Sequence, residues 1–339
     1  MWQIIDVNYN RAREGIRVVE EVARFILKDT ALTQEIRRLR HSLQKILSSF
    51  PLYSFRNAET DIGKNFSSLS YAHLSELVKA NFSRAEESLR VMEEFSRLEK
   101  PTLSRNLMDL RFLAYQLEKQ LLSCLAKKDK LAKIGIYLIA DERIAGKPYE
   151  EIVGKALEGG IRFLQFRDKS SNTRELWEKS FIVRELTQKY SAVLIINDRV
   201  DIALSINADG VHLGKEDLPV KEARKILGEE KIIGLTVRSR VEAIAGIEEG
   251  ADYVSLGPVF PTTSKKDLPP PLGLGVLKKT RKKIAGVLVA IGGITLPFLP
   301  ELKKAGVDGV AVISGILREG DIRKKAQEWV KAWEREEEA

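Results

Sequence analysis

Five short motifs in the second half of the chain hold residue types suited to binding phosphate and a divalent cation. They are QFRDK (Gln165 to Lys169), ND (Asn197, Asp198), HLGKED (His212 to Asp217), the run from Gly257 to Asp267, and IGGI (Ile291 to Ile294). Each follows an apolar, often β-branched stretch. In parallel α/β proteins, sites are built from loops at the carboxyl ends of strands. Five such loops in order predict an active site for a substrate with several phosphates.

Gln165, Arg167 and Lys169 alternate with Phe166 and Asp168, so they share one face of a strand end. An amide, a guanidinium and an ammonium there can grip the polar edge of a heterocycle and an adjacent diphosphate. Asp198 and Asp217 follow neighbouring strands, and both carboxylates can hold one ion. Mg2+ is expected from the hardness of these ligands. Asn197 can hydrogen-bond a ring or a phosphate. His212 reads as a hydrogen-bonded structural residue, and Asp217 has the alternative role of a helix cap. Thr262, Thr263, Ser264, Lys265 and Lys266 supply hydroxyls and cations for a phosphate. The Pro-rich stretch after them lengthens this loop into a candidate lid. Gly292 and Gly293, with Ile313, Ser314 and Gly315, suggest the phosphate site that many barrels build from their last two loops. No His-base-nucleophile set, Cys/His cluster or GxxxxGK[ST] loop occurs. Two phosphate sites and a metal imply transfer between two phosphorylated partners, with diphosphate leaving.

These loops need strands and helices to carry them. From Ile134 onward, strand and helix patterns alternate eight times, with strands expected at 134–140, 163–167, 193–197, 210–213, 232–237, 253–259, 286–292 and 309–314. That rhythm predicts a (β/α)8 barrel over 134–333. Residues 1–127 read instead as an all-α domain, with apolar residues at three- and four-residue spacing from Leu107 to Leu125. Pro51 and the stretch from Arg56 to Asn65 read as loop. The domain contains an internal duplication. Asn8–Phe25 recurs as Asn81–Leu98 with nine of eighteen positions identical. Ser83 and Glu86 have capping-box spacing, so a helix is expected to begin there. Asn8 and Asn81 are candidate caps. The junction from Ala126 to Lys133 is short and charged.

The 339 residues carry a net charge of +8, but basic residues alternate with acidic ones, which argues against nucleic acid as a partner. No apolar run is long enough to span a bilayer. The start lacks the pattern of a signal peptide, and the one cysteine fits a reducing compartment, so a cytoplasmic enzyme is expected. Cys124 lies in a helical apolar pattern and reads as a core residue. Small phosphorylated molecules are the expected partners, and self-association into a homo-oligomer stays open.

With these motifs in family order, residues 134–333 resemble thiamine-phosphate synthase, also called thiamine-phosphate pyrophosphorylase. That family joins hydroxymethylpyrimidine diphosphate to hydroxyethylthiazole phosphate and releases pyrophosphate. The resemblance implies that Gln165, Arg167, Lys169, Asn197, Thr236 and Lys265 bind the pyrimidine diphosphate. Arg167, Lys169 and Lys265 would carry the catalysis, and Asp198 and Asp217 would hold Mg2+. Thr262, Thr263, Ser264, Gly293, Ile313 and Ser314 would bind the thiazole phosphate. Thr236 stands where the family commonly has Ser. A sister family of thiazole tautomerases shares the barrel but needs a His acid/base, whereas Val237 and Arg238 follow Thr236 here. The first 127 residues resemble a helical domain fused ahead of the synthase and associated with hydroxymethylpyrimidine-phosphate kinase activity. The matching residues are the two repeat copies, Arg40, His41, and DIG at Asp61 to Gly63. A kinase there implies ATP. The alternative is a scaffold or oligomerisation module, with Arg11, Arg17, Glu20, Arg84, Arg90 and Glu93 as ion-pair partners.

Overall fold

The computed structural model describes residues 2–48, 50, 70–262, 270–318 and 320–335. They form two compact units, Met1–Lys128 and Asp129–Ala339.

The first unit is helical: α1 (Trp2–Glu21) with a π-helical turn (Val22–Leu27), α2 (Thr30–Leu47), α3 (Leu74–Ser96) and α4 (Pro101–Leu131). The reason lies in the apolar stripes. Ile5, Tyr9, Ala12, Ile16 and Val19 on α1, and Val78, Phe82, Ala85, Leu89 and Met92 on α3, are buried at helical spacing. Each Val, Leu, Ile, Phe or Met among them contributes about 1.5–3 kcal/mol on burial. Asp29 caps α2 by accepting the Leu32 N–H at 3.0 Å. Gly15 lets α1 approach α3, because a Cβ there would stand 2.5 Å from the Asn81 carbonyl oxygen. Cys124 is partly buried against this core.

Two local expectations fail here. α3 begins at Leu74, so Ser83 and Glu86 are mid-helix; the apolar stripe starting at Val78 overrides a four-residue capping pattern. Asn8 and Asn81 are likewise internal. Each donates its Nδ2 to the carbonyl one turn back, Ile4 and Leu77, at 2.8 Å. Pro51, Arg56 to Asn65 and the DIG motif lie outside the described residues, apart from which α4 continues through the charged junction to Leu131.

The second unit is a closed parallel barrel in sequence order, with β8 paired to β1. Its strands are β1 (Ile136–Ala140), β2 (Phe163–Phe166), β3 (Val193–Asn197), β4 (Gly210–Leu213), β5 (Ile232–Val237), β6 (Tyr253–Leu256), β7 (Val287–Ile291) and β8 (Gly309–Val312). All eight fall where the apolar runs predict them. The helices are α5 (Glu142–Ala145), α6 (Tyr149–Glu158), α7 (Thr173–Lys189), α8 (Val200–Ser205), α9 (Val220–Leu227), α10 (Arg240–Glu248), α11 (Leu274–Arg281), α12 (Leu299–Lys304), α13 (Ser314–Leu317) and α14 (Ile322–Glu334). Alternate strand residues divide between two cores. Tyr137, Ile139, Phe163, Val193, Ile195, Tyr253 and Val289 fill the barrel; Leu138, Leu164, Leu194, Val211 and Val254 meet the helices.

Three aspartates tie the amino-terminal end of the barrel. Asp209, Asp252 and Asp308 accept the backbone N–H of Leu194, Ile233 and Leu288 at 2.9, 2.8 and 2.7 Å. The same carboxylates pair with Arg184, Arg224 and Arg281. These bonds brace that end, and the motif loops occupy the opposite rim.

Candidate active site

Two adjoining cavities open at the carboxyl ends of the strands. One, of about 520 Å3, is lined by Arg167, Lys169, Asn197, Asp198, His212, Lys215, Glu216, Asp217, Thr236 and Arg238. The other, of about 120 Å3, is lined by Thr262, Gly292, Gly293, Ile313, Ser314 and Gly315 among others, and it shares Thr236 and Arg238 with the first. The sequence-derived residues thus separate into a cationic-and-carboxylate chamber and a glycine-and-hydroxyl chamber. Thr263, Ser264 and Lys265 lie outside the described residues.

Arg167 follows β2 and is ion-paired with Asp141, a buried residue just after β1. Its own carbonyl accepts the Tyr149 hydroxyl at 2.7 Å. Both ends of the residue are therefore fixed. Asp168 holds the next stretch of loop. It accepts the backbone N–H groups of Ser170 and Ser171 at 2.8 and 3.0 Å, and both hydroxyls besides. Burial alone raises its pKa, but these donors outweigh it and hold the carboxyl well below its ordinary range. Lys169, between these anchors, is ion-paired with Asp198.

Asp198 has a left-handed backbone, with φ 63°. Non-glycine residues adopt that conformation at a cost, and such strain collects at functional sites. Its N–H bonds the His212 carbonyl at 2.9 Å, which prolongs the β3–β4 ladder and fixes the carboxylate beside Asp217. Burial, followed by the proximity of Asp217, pushes the Asp198 carboxyl up against the opposing pull of Lys169. Two crowded carboxylates of this kind suit a hard divalent cation. Asp217 takes the Gly214 N–H at 2.6 Å, so it closes a turn, whereas Pro219 occupies the cap of α9.

Below the first chamber runs a chain of buried hydrogen bonds. Gln165 Nε2 donates to the Tyr137 hydroxyl at 2.6 Å, which meets the Tyr253 hydroxyl at 2.8 Å. Tyr253 meets His212 Nδ1 at 2.9 Å, and His212 Nε2 meets Thr236 Oγ1 at 2.8 Å. Burial raises the pKa of both tyrosines, so they stay protonated. Both ring nitrogens of His212 are thus engaged in hydrogen bonds, as expected of a structural residue, while the ring also lines the first chamber. Gln165 is 2% exposed and lines neither cavity; it forms part of the floor.

The second chamber depends on its glycines. Gly292 and Gly293 have φ of 96° and 67°, and a Cβ on Gly293 would stand 2.3 Å from the Pro261 carbonyl oxygen. The loop after β6 lies that close because Val259 and Phe260 donate to the Ile291 and Gly292 carbonyls at 2.9 and 3.0 Å. Trp329 of α14 backs Gly315, donating to its carbonyl at 3.2 Å.

Asp141, Tyr137, Tyr253 and Arg238 were absent from the sequence-derived set. Asp141 had the same signal as the five motifs, an acid directly after a strand. Arg238 stands two residues beyond Thr236, on the same face of the strand exit.

The barrel matches a known family over most of its length. The thiamine monophosphate synthase family matches residues 136–316, over half of the chain. The chain belongs to the thiamine monophosphate synthase family. A thiamine-phosphate synthase of Prochlorococcus marinus subsp. pastoris is 37% identical over 96% of this chain and 93% of its own length. One from Synechocystis sp. is 37% identical over 93% and 91%. The structure of a thiamine phosphate pyrophosphorylase from Pyrococcus furiosus superposes with a TM-score of 0.56 at 42% identity, covering 60% of this chain and 97% of that one. Residues 3–120 match the ThiD2 family. As a member of the thiamine monophosphate synthase family, the chain is an enzyme of thiamine biosynthesis with a transferase barrel. Among the described residues, no helix is long and apolar enough to cross a membrane.

Proposed function

We propose that the barrel condenses hydroxymethylpyrimidine diphosphate with hydroxyethylthiazole phosphate, giving thiamine phosphate and pyrophosphate. The observation that carries this reading is the pair of adjoining cavities sharing Thr236 and Arg238. In it, Arg167, Lys169, Asn197 and Thr236 take the pyrimidine diphosphate, with Gln165 in the floor beneath and Lys265 added from the loop after β6. Thr262, Thr263, Ser264, Gly293, Ile313 and Ser314 take the thiazole phosphate. Asp198 and Asp217 would hold Mg2+, which when bound neutralises charge on a diphosphate.

The methylene–oxygen bond breaks, and its electron pair leaves with the diphosphate. Arg167, Lys169 and Lys265 stabilise the charge that grows on the departing oxygens. The pyrimidine ring stabilises the cation left behind, and the thiazole nitrogen donates its lone pair to form the new C–N bond. No proton moves in that step, so no general base is required of the chamber.

For the helical unit we propose phosphorylation of hydroxymethylpyrimidine phosphate by ATP, which makes the barrel's own substrate. The ThiD2 match supports this reading. The ion pairs of Arg17 with Glu20 and of Arg90 with Glu93 are also what a scaffold needs. Purified full-length protein should form thiamine phosphate and pyrophosphate in equal amounts from the two substrates and Mg2+. Given ATP and pyrimidine monophosphate instead, it should form ADP. Absence of thiamine phosphate refutes the barrel reading, and absence of ADP favours the scaffold.

A further inference from the structure

The helical unit holds two helix hairpins, α1–α2 and α3–α4, with matching buried ion pairs, and comparing them separates residues that hold the architecture from residues with another purpose. Glu20 is fully buried and accepts Arg37 Nε at 2.9 Å and Arg40 Nε at 2.8 Å. Glu93 is fully buried and accepts Arg111 Nε at 3.0 Å. Arg17 and Arg90 approach these carboxylates from one turn earlier, at 3.3 and 2.7 Å. The core continues the match. Leu32, Thr33, Ile36, Leu39 and Leu43 of α2 stand in step with Leu103, Ser104, Leu107, Leu110 and Ala114 of α4, and all ten are buried. In that register Arg40 falls on Arg111.

A cleft of about 340 Å3 on the outer side of α2 is lined by Gln34, Arg37, Arg38, His41, Ser42 and Lys45. In the same register, α4 carries Arg105, Met108, Asp109, Phe112, Leu113 and Gln116. The second hairpin therefore folds around the same buried glutamate–arginine pair without this cationic set. In the first, three fixed cations, an imidazole, a hydroxyl and an amide share one face, and no carboxylate lines the cleft among the described residues. Arg37 spends only its Nε on Glu20 and is 44% exposed. Its two terminal amino groups have no partner among the described residues. The buried carboxylate thus orients a guanidinium fork toward the cleft, which is the geometry that phosphoryl oxygens accept.

We infer that this face of α2 binds a phosphoryl group through Arg37, Arg38, His41, Ser42 and Lys45. The identity of the ligand rests on the kinase reading: either the nucleotide's phosphates or the phosphate of the pyrimidine monophosphate, which share the same anionic oxygens.

The test uses the full chain and the variant Arg38→Asp/Lys45→Gln, which installs the residues of the second hairpin and leaves the Glu20 ion pairs intact. Calorimetric titration with a non-hydrolysable ATP analogue and, separately, with hydroxymethylpyrimidine phosphate gives affinity and number of sites. One of the two ligands should bind roughly ten- to a hundredfold more weakly, or lose one site; which one identifies the phosphate held. The melting temperature and the synthase rate should not change, and if the double variant melts lower, Lys45→Gln alone decides. Unchanged affinity for both ligands overturns the site, and continued ADP formation would then leave the kinase reading standing. A wild-type chain that forms no ADP but loses a phosphate ligand in the variant refutes the kinase reading and keeps the site. A wild-type chain that binds neither ligand overturns the site.

Discussion

The imidazole of His212 lies stacked on the ring of Tyr253, 5.5 Å between centroids, with Nδ1 meeting the tyrosine hydroxyl at 2.9 Å. Gly234 makes room for this stack, since a Cβ there would stand 2.0 Å from Tyr253 Cζ. The pair links Gln165, buried in the floor, through Tyr137 to Thr236, on the wall of both chambers, through His212. Tyr253→Phe keeps the ring but leaves the Tyr137 hydroxyl and His212 Nδ1 each short of a partner. Leaving a buried polar group unpaired costs about 1–3 kcal/mol. Urea denaturation should show a loss of that size, and the KM for the pyrimidine diphosphate should rise. An unchanged KM would restrict the chain of bonds to a role in stability.

In the proposed reaction, Asp141 bears on activity through its ion pair with Arg167. Replacing it with Asn removes the ion pair while keeping the shape of the side chain. We expect kcat/KM to fall by roughly ten- to a hundredfold, as for loss of a charge-assisted hydrogen bond. Asp141→Glu should recover part of the loss. Steady-state kinetics that leave the Asn variant at the wild-type rate would show that Arg167 needs no anchor.

Asp217→Asn should lower the rate by about a hundredfold or more and raise the Mg2+ concentration needed for half-maximal rate. The Asn amide oxygen can still accept the Gly214 N–H that closes this turn, so the melting temperature should change little. A variant with full rate in the presence of a chelator contradicts the metal role.

The helical unit gives a prediction about pH. The Glu86 carboxyl is pushed up to about 7 by burial, then by Glu118, against the pull of Arg111. One of its oxygens is buried without a hydrogen-bond partner among the described residues. The folded state therefore holds a proton that the unfolded chain releases near pH 4.5, so this group's contribution to stability declines as pH rises from about 4.5 to about 7. Glu86→Gln should raise the melting temperature at pH 8 and leave it nearly unchanged at pH 5. Equal shifts at both values would rule out titration as the cause.

Much of this was legible in the sequence, for identifiable reasons. The eight strands were visible because they are largely buried on both sides and read as mostly apolar runs, as in Val193 to Ile196. The rim motifs were visible because several charged and polar residues recur directly after such runs. The polar floor was not. Tyr137 and Tyr253 look like ordinary strand aromatics, and only closure of the barrel brings β1, β4 and β6 to one hydrogen-bond chain. The start of α3 was misplaced because Ser83 and Glu86 mimic a cap inside a longer apolar stripe. The matched Glu20–Arg40 and Glu93–Arg111 pairs needed the helices' packing, since the repeat in sequence covers α1 and α3 far more clearly than α2 and α4.

In the proposed reaction the two chambers hold two different substrates, and one kinetic comparison tests this division most directly. Lys169→Ala alters the first chamber, and Gly293→Ala crowds the second against the Pro261 carbonyl. With both substrates varied, Lys169→Ala should raise the KM for the pyrimidine diphosphate roughly tenfold or more and leave that for the thiazole phosphate near its wild-type value. Gly293→Ala should do the reverse. If both variants raise the same KM, the two chambers do not divide the substrates between them.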